Sequence, residues 1–229
     1  MKMTYITLDI DGTLFDSTSI VTLSFREGIQ NWCLENYSSK LTLPTGDEIM
    51  KLVGQPAAYI FSTLFPGIST SQQYQLMDYC TAALCEAIRS GEGHIFSNAV
   101  VTLRQLHHEG YGLLVASNGQ RDYIEAILET HKVAHLFSPW TTLEEKGIHA
   151  KHELVAHYIQ TYGIHNNYIM AGDRYSDREA AEKNNIPFIG CAFGHAAEEI
   201  AGCEWTVHNF GQIPECIHEI EKLYNQSTG

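Results

Sequence analysis

Short apolar runs alternate with stretches of helical periodicity along most of the chain, and this alternation restricts the possible folds more than any other feature. Strands are predicted at 4–10, 111–117, 167–173 and 186–192, with a further edge strand at 203–209. Helices are predicted near 97–109, 120–131, 151–162 and 176–184, with a last one near 213–225. Strands that are separated by helices favour a parallel sheet wound with helices on both faces. The chain is therefore predicted to adopt an α/β fold with a central parallel sheet.

Residues 16–95 interrupt this alternation, because they show several helical patterns and no convincing strand. Proline and glycine divide the segment into about four predicted helices. The breaks fall at Pro44, Gly46, Gly54, Pro56 and Gly67. Since the first strand precedes the segment and the second follows it, we predict a helical insertion after the first strand. The predicted division is a core formed by 1–15 and 96–229 and an inserted helical domain, 16–95.

Polar residues follow three of the predicted strands directly. They are Asp9 and Asp11 after the first strand, Ser117, Asn118 and Gly119 after the second, and Gly172 and Asp173 after the third. In open parallel sheets, ligands bind outside the carboxyl ends of the strands. Carboxylates suit a hard cation, whereas a hydroxyl and backbone N–H groups suit an anion. A lysine at the start of a following helix would complete the anion site.

These residues form an ordered set of four short motifs. "DIDGT" (Asp9 to Thr13 within it), "SNG" (117–119), Lys151 and "GDRYSD" (172–177) resemble the four motifs of the haloacid dehalogenase-like hydrolase superfamily. The helical insertion resembles the cap of its helical-capped phosphatase subgroup, which includes phosphoglycolate phosphatase and beta-phosphoglucomutase-like enzymes. The resemblance covers almost the whole chain. It implies a Rossmann-like three-layer core with a helical cap domain at 16–95.

The resemblance also implies a reaction at the first motif. Asp9 would be the nucleophile that forms an aspartyl-phosphate, and Asp11 would be the general acid and base. Gly12 would permit the tight turn that brings both carboxylates to one phosphate. True dehalogenases that resemble this group lack the second aspartate, because a leaving halide needs no proton. The presence of Asp11 therefore favours phosphoryl transfer over dehalogenation.

The remaining motif residues are implied to bind the cation and the phosphate. Mg²⁺ would be held by the carboxylate of Asp9, the backbone carbonyl of Asp11 and Asp173. The expected phosphate-binding residues are Thr13, Ser117, Asn118 and Lys151, and the expected supporting residue is Asp177. In the cap, "GQP" resembles a loop that many relatives point at the substrate, which makes Gly54 and Gln55 candidate substrate contacts.

Two assignments in the motifs are less direct. Lys146 lies five residues before Lys151 and is the alternative phosphate-binding lysine, but Lys151 stands at the start of a predicted helix and is preferred. Arg174 stands where many relatives carry serine or threonine. We interpret it as an exposed partner in an ion pair, with a place in the lining of the pocket as the alternative.

Three functions are consistent with this set of residues. The preferred one is a Mg²⁺-dependent phosphatase for a small phosphorylated metabolite. The first alternative is a phosphomutase of the beta-phosphoglucomutase type, in which the phosphoryl group passes to a sugar hydroxyl instead of water. The second is a non-catalytic binding or regulatory module that has kept the fold. The same core residues would serve the phosphatase and the mutase, so the sequence leaves that choice open, together with the identity of the substrate and the oligomeric state.

Charge and composition exclude other classes of function. The formal net charge of −13 argues against a general affinity for nucleic acid or for an anionic membrane. Six cysteines without a C-x-x-C pattern indicate reduced thiols, and no apolar run approaches the length of a membrane span. We therefore expect a cytoplasmic protein. The twelve histidines show no spacing typical of metal ligands.

Overall fold

The structure is a computed structural model that describes residues 2–36, 41–143 and 145–226. Its strands are β1 Thr4–Leu8, β2 Phe15–Asp16, β3 His94–Ile95, β4 Gly112–Val115, β5 Asn167–Gly172, β6 Phe188–Cys191 and β7 Trp205–Val207. Its helices are α1 Val21–Glu35, α2 Gly46–Met50, α3 Ala57–Leu64, α4 Thr70–Arg89, α5 Ala99–His108, α6 Arg121–Thr130, α7 Lys151–Tyr162, α8 Tyr175–Lys183 and α9 Ile213–Gln226. Among the described helices, none has the length and apolar character needed to cross a membrane.

Five strands form a sheet in the order β4-β1-β5-β6-β7, and every neighbouring pair is parallel. Leu8, at the end of β1, lies opposite Val115 of β4 and Ala171 of β5. The carboxyl ends of these three strands therefore meet at one edge of the sheet. The predicted α/β fold with a parallel sheet is confirmed, and β7 occupies the edge position predicted for 203–209.

Helices cover both faces of this sheet. On one face, Tyr5, Leu114 and Met170 join a buried cluster with residues of α7 and α8. Because successive side chains of a strand point to opposite faces, Ile6 and Leu113 lie on the other face. There α5 packs on β4 and α9 on β7. Burial on both faces explains why these strands are almost continuous apolar runs in the sequence.

The chain divides into two compact units. The first comprises Met1–Asp16, Ile95–Ser117 and Val133–Gly229, and it contains the five-stranded sheet. The second comprises Ser17–His94 and Asn118–Lys132, so it contains α1 to α4 together with α6. The cap boundaries at 16–95 stay a prediction. The second unit differs from the predicted cap because it also contains α6. This helix packs against α4, a contact that no local pattern in the sequence shows.

Within the second unit, α1 and α4 approach each other closely at Gly28. A Cβ atom at Gly28 would lie 2.6 Å from both Cα and the backbone nitrogen of Cys80. The Cys80 thiol donates to the carbonyl of Phe25 at 3.5 Å. The N-terminus of α4 is capped by Ser69, which forms a reciprocal capping box with Gln72. Close packing at a small residue and a defined helix start together fix the position of α4 in this unit.

Candidate active site

The turn after β1 carries the two aspartates of the first motif. The backbone N–H of Asp9 donates to the carbonyl of Ala171 at 3.0 Å, so Asp9 continues the parallel ladder beyond the end of β1. Gly12 has a φ of +80°, and its N–H donates to the carbonyl of Phe15 at 3.0 Å. This left-handed conformation favours glycine. The turn predicted for Gly12 is thus present, with Asp9 buried and Asp11 partly exposed.

Gly12 and Gly194 also let two loops approach Asp173. A Cβ atom at Gly12 would lie 2.2 Å from Oδ2 of Asp173. A Cβ atom at Gly194 would lie 2.3 Å from Cβ of Asp173 and 2.3 Å from the carbonyl oxygen of Gly12. Such distances do not occur between real side-chain and backbone atoms, so both positions require glycine for steric reasons. The two glycines thus allow the turn after β1, the end of β5 and the loop after β6 to meet.

The two carboxylate oxygens of Asp173 have different environments. Oδ2 accepts hydrogen bonds from the backbone N–H of His195 at 2.7 Å and of Ala196 at 3.2 Å. Oδ1 is buried and makes no hydrogen bond within the described part of the chain. A buried carboxylate oxygen without a donor is costly unless a ligand satisfies it. Oδ1 of Asp173 is therefore suited to bind a cation.

Lys151 connects Asp9 with Asp177. It is the first residue of α7, and its ammonium nitrogen lies 2.8 Å from Oδ1 of Asp9 and 2.5 Å from Oδ1 of Asp177. The other oxygen of Asp177 accepts from the backbone N–H of Arg174 at 3.0 Å. Burial lowers the pKa of Lys151, but the carboxylates of Asp177 and Asp9 raise that pKa above its usual range. The lysine is thus held charged between two acids.

Of the two candidate lysines, only Lys151 contacts the buried acids Asp9 and Asp177 within the described residues. Lys151 is buried against Asp9, whereas the side chain of Lys146 is exposed and its backbone has a φ of +54°. Lys151 reaches Asp9 because α7 begins at the carboxyl edge of the sheet. This position agrees with the choice of Lys151 in the sequence. Its role toward a phosphate stays a prediction.

Three buried acids form a possible cation site. Asp9, Asp173 and Asp177 each offer an oxygen within 4.8 Å of the others. Burial and then the charge of Asp9 raise the pKa of Asp173 to about 7 and that of Asp177 to about 8. Three carboxylates face one lysine, and a divalent cation would offset the excess negative charge. Since Asp177 already accepts from Lys151 and from a backbone N–H, Asp9 and Asp173 fit Mg²⁺ better as direct ligands.

The hydroxyl side chains predicted to bind phosphate are buried in the first unit. Thr13 is fully buried within the turn after β1. The backbone N–H of Ala116 donates to the carbonyl of Leu8 at 2.8 Å, which places Ser117 immediately beyond the carboxyl edge of β4. Ser117 is 2% exposed. Both residues thus lie in the turns at this edge, as the sequence predicts, and their contact with a phosphate stays a prediction.

Asn118, Gly54 and Gln55 lie in the second unit. The side-chain amide of Asn118 donates to the carbonyl of Gly54 at 2.9 Å. Gly54 has a φ of +85°, and the backbone N–H of Gln55 donates to the carbonyl of Leu52 at 3.0 Å. The side chain of Asn118 therefore supports the loop that carries the two candidate substrate contacts. The sequence pattern did not predict this link.

Arg174 differs in part from its sequence-based interpretation. Its Nη1 pairs with Oε1 of Glu199 at 2.9 Å, as expected for a partner in an ion pair. The expectation of an exposed side chain is wrong, because Arg174 is only 7% exposed. The loop after β6 brings Glu199 over the guanidinium group. This loop lies outside the four motifs.

The four motifs do not include Gly194, His195 and Ala196, which follow β6 and contact Asp173. A usable signal was present in "CAFGHA", where glycine and a polar residue follow a predicted strand directly. The rule that placed the other site residues at strand ends applies equally to this fourth strand. The backbone N–H groups that bind Asp173, however, carry no sequence signature.

Comparisons with known proteins agree with this arrangement. The family model described as haloacid dehalogenase-like hydrolase matches residues 6–191. The chain is 25% identical over 196 residues to the phosphoglycolate phosphatase of Mannheimia succiniciproducens, which covers 82% of this chain and 84% of that protein. It is 24% identical over 201 residues to the pyrophosphatase PpaX of Oceanobacillus iheyensis, and this match covers 84% of this chain and 85% of that protein.

Solved structures share this fold. The crystal structure of a predicted phosphatase from Clostridium acetobutylicum superposes with a TM-score of 0.76 at 23% identity, and the match covers 96% of this chain and 100% of that one. At this identity the structural likeness establishes the fold. The family model covers most of the chain, including the turn after β1 and the ends of β4 to β6. The chain therefore belongs to the haloacid dehalogenase-like hydrolase family.

Proposed function

We propose that this hydrolase is a Mg²⁺-dependent phosphatase that cleaves a small phosphorylated metabolite through a phosphate ester on Asp9. One observation carries the proposal: the ammonium group of Lys151 bridges buried Asp9 and buried Asp177. These two acids cluster with Asp173, whose Oδ1 has no hydrogen bond within the described residues. The bridge holds Asp9 in one orientation. It also provides positive charge where an anionic group would have to approach three acids.

In the first half of the reaction, Asp9 attacks phosphorus. Its Oδ1 is bonded to Lys151, so Oδ2 is the oxygen that would form the new bond. As that bond forms, the bond from phosphorus to the leaving oxygen breaks, and Asp11 gives its proton to the leaving oxygen. The partial exposure of Asp11 suits a group that exchanges protons with substrate and water.

In the second half, water attacks the phosphorus of the ester on Asp9. Asp11, now ionised, takes the proton from this water as the new bond forms. The bond between phosphorus and Asp9 breaks, which releases phosphate and restores the Asp9 carboxylate. Lys151 stays beside Asp9 throughout and stabilises the negative charge that moves between its oxygen and the phosphoryl group.

The cation would be held by the carboxylates of Asp9 and Asp173 and by the backbone carbonyl of Asp11. When bound, it supplies positive charge that offsets the carboxylates and the phosphoryl oxygens. His195 and Ala196 orient Asp173 through their N–H groups, and Asp177 orients Lys151. Gly12 and Gly194 keep these loops close enough for the ligands to converge.

The phosphoryl group would be held by Thr13, Ser117, the backbone of Asn118 and Lys151. Gly54 and Gln55 would contact the remainder of the substrate. A small substrate is supported by the names of two similar proteins, a phosphoglycolate phosphatase and a pyrophosphatase. Phosphate monoesters and pyrophosphate are thus the substrate classes to test.

The test is phosphate release from a panel of small phosphate esters and pyrophosphate, with Mg²⁺ and with a chelator. We expect Mg²⁺-dependent release that falls at least about a thousandfold in Asp9→Asn, because the amide cannot serve as the nucleophile. Asp47→Asn, at an exposed aspartate in the first turn of α2, is the matched control and should keep full activity. Turnover by folded Asp9→Asn at the wild-type rate would disprove the mechanism. Absence of release from every substrate by folded wild type would disprove the phosphatase.

A further inference from the structure

We infer that His195 is a positioning residue: its side chain, hydrogen-bonded to Asp16, fixes the loop whose backbone orients the Asp173 carboxylate and thereby sets the affinity for the divalent cation. This inference rests on the proposed function in one respect, since it takes Asp173 as a cation ligand. It assigns a role to two residues, His195 and Asp16, that lie outside the catalytic and ligand sets described above.

The loop after β6 orients the carboxylate of Asp173. Both hydrogen bonds to its carboxylate come from successive N–H groups of one loop, at His195 and Ala196, and both reach Oδ2. Two donors on one oxygen restrict rotation of the carboxylate and leave Oδ1 as the oxygen for a ligand. A shift of the His195 backbone would therefore turn the ligand oxygen away from its position.

The side chain of His195 contacts Asp16 and Phe96. Its Nε2 lies 3.2 Å from Oδ1 of Asp16, and the two side chains are 10% and 20% exposed. Because a carboxylate only accepts, Nε2 is the ring nitrogen that donates. The ring also packs near Phe96, with centroids 6.3 Å apart, and Phe96 packs edge-on against Phe193 at 5.0 Å. The ring is thus held by a hydrogen bond and by apolar contacts.

Asp16 belongs to the segment that follows β1 in the chain. It is the last residue of β2, which follows the turn that begins at Asp9, and this turn is closed by the hydrogen bond from Gly12 to Phe15. In the sheet, β5 lies between β1 and β6, so no ladder hydrogen bond joins the turn after β1 to the loop after β6. The bond from His195 to Asp16 makes this connection directly. It therefore fixes the loop whose N–H groups bind Oδ2 of Asp173, and with it the rotation of that carboxylate toward Asp9.

The size of the effect follows from known metal sites. Groups that orient a metal ligand typically change metal affinity by about 10- to 100-fold when they are replaced. His195→Ala keeps the backbone N–H that binds Asp173 and removes only the side chain. If the backbone alone mattered, this variant would bind Mg²⁺ as wild type does. We expect it to bind about tenfold more weakly.

The experiment is calorimetric titration of the full chain with Mg²⁺ in the absence of substrate. The variants are His195→Ala, Asp16→Ala and their double mutant. His195→Gln tests rescue, since the glutamine amide can donate from nearly the position of Nε2. His108→Ala, at an exposed histidine at the end of α5, is the control. We expect weaker binding in both single variants, no further loss in the double mutant, partial recovery with glutamine and no change in the control.

Several results would overturn the inference. One is a Mg²⁺ dissociation constant of His195→Ala within twofold of wild type. The others are additive losses of Mg²⁺ affinity in the double mutant, or a His195→Gln variant that binds Mg²⁺ no more tightly than His195→Ala. If His195→Ala does not fold, Asp16→Ala provides the comparison, because it removes the same hydrogen bond from the other partner, and wild-type Mg²⁺ affinity in Asp16→Ala would refute the role.

The inference and the proposed function fail in different ways. Mg²⁺ binding that depends on His195, in a chain that releases no phosphate from any substrate, would refute the phosphatase and retain the positioning role. Phosphate release that depends on Asp9, with Mg²⁺ affinity unchanged in His195→Ala, would refute the positioning role and retain the phosphatase.

Discussion

The ammonium group of Lys151 lies 2.8 Å from Oδ1 of Asp9, and these two side chains are only 3% and 5% exposed. Lys151 starts α7, where the helix dipole by itself disfavours a positive charge. The contact with Asp9 and the second one with Asp177 offset this cost. The pair thus joins residues that are 142 positions apart in the chain.

Lys151→Met should destabilise the protein strongly, because it leaves two buried acids without their cation. Breaking a buried ion pair from one side lowers the free energy of unfolding by about 3–5 kcal/mol. Lys146→Met, at the exposed lysine, should change it by less than about 0.5 kcal/mol. Urea unfolding of both variants in chelator measures the difference. Equal stability of the two variants would contradict the ion-pair geometry.

Mg²⁺ should stabilise the wild type against thermal unfolding. A ligand that binds only the folded state at 100 times its dissociation constant contributes about 2.7 kcal/mol. For a chain of this size that corresponds to a rise in Tm of about 5–10 °C. Asp173→Asn should lose most of this rise, whereas Asp122→Asn, at an exposed aspartate of α6, should keep it. A full Mg²⁺-dependent rise in Asp173→Asn would exclude Asp173 as a ligand.

Gly194→Ala should disturb the cation site directly. The new Cβ atom would lie 2.3 Å from Cβ of Asp173 and from the carbonyl oxygen of Gly12, so one of the three loops must move. Overpacking of this kind costs about 1–3 kcal/mol of stability. The Tm rise with Mg²⁺ should also become smaller, because Asp173 shifts. Gly67→Ala, with no atom within 4 Å of the new Cβ, is the control and should leave both quantities unchanged.

Gly28→Ala should destabilise the second unit without affecting the cation site. Its Cβ atom would lie 2.6 Å from Cα of Cys80, which forces α1 and α4 apart. Alanine gains up to about 1 kcal/mol over glycine in helix propensity, but overpacking costs about 1–3 kcal/mol, so we expect a net loss. Urea unfolding measures the loss, and calorimetry should give an unchanged Mg²⁺ dissociation constant. Stabilisation would show that the helices are not in close contact at Gly28.

Much of the fold and part of the site were predictable because their signals are local. The apolar runs of β1, β4 and β5 lie where the sequence predicts strands, since both faces of each strand are buried. The turn at Gly12 follows from a short polar motif at the end of such a run. The family was likewise recognisable from four short motifs in order. Each of these features involves residues within a few positions of one another.

Other features depend on contacts between distant segments. The grouping of α6 with α4, the burial of Arg174 under Glu199 and the bond from His195 to Asp16 have no local pattern. For Arg174 this led to the wrong expectation of exposure. For His195 it left the residue unnoticed, because a histidine after a strand has many possible environments. Desolvation and pairing decide between these environments, and both depend on what the folded chain brings near.

The sequence by itself determined the strands, the helices, the tight turn at Gly12 and the acidic and basic residues available at the strand ends. The reason is that backbone preference and the periodicity of burial act over a few residues. Only the tertiary structure decided that Lys151 lies between Asp9 and Asp177, and that one oxygen of Asp173 accepts no hydrogen bond from the residues that the structure describes. These relationships are electrostatic and steric, and they depend on distances in space between segments far apart in the chain.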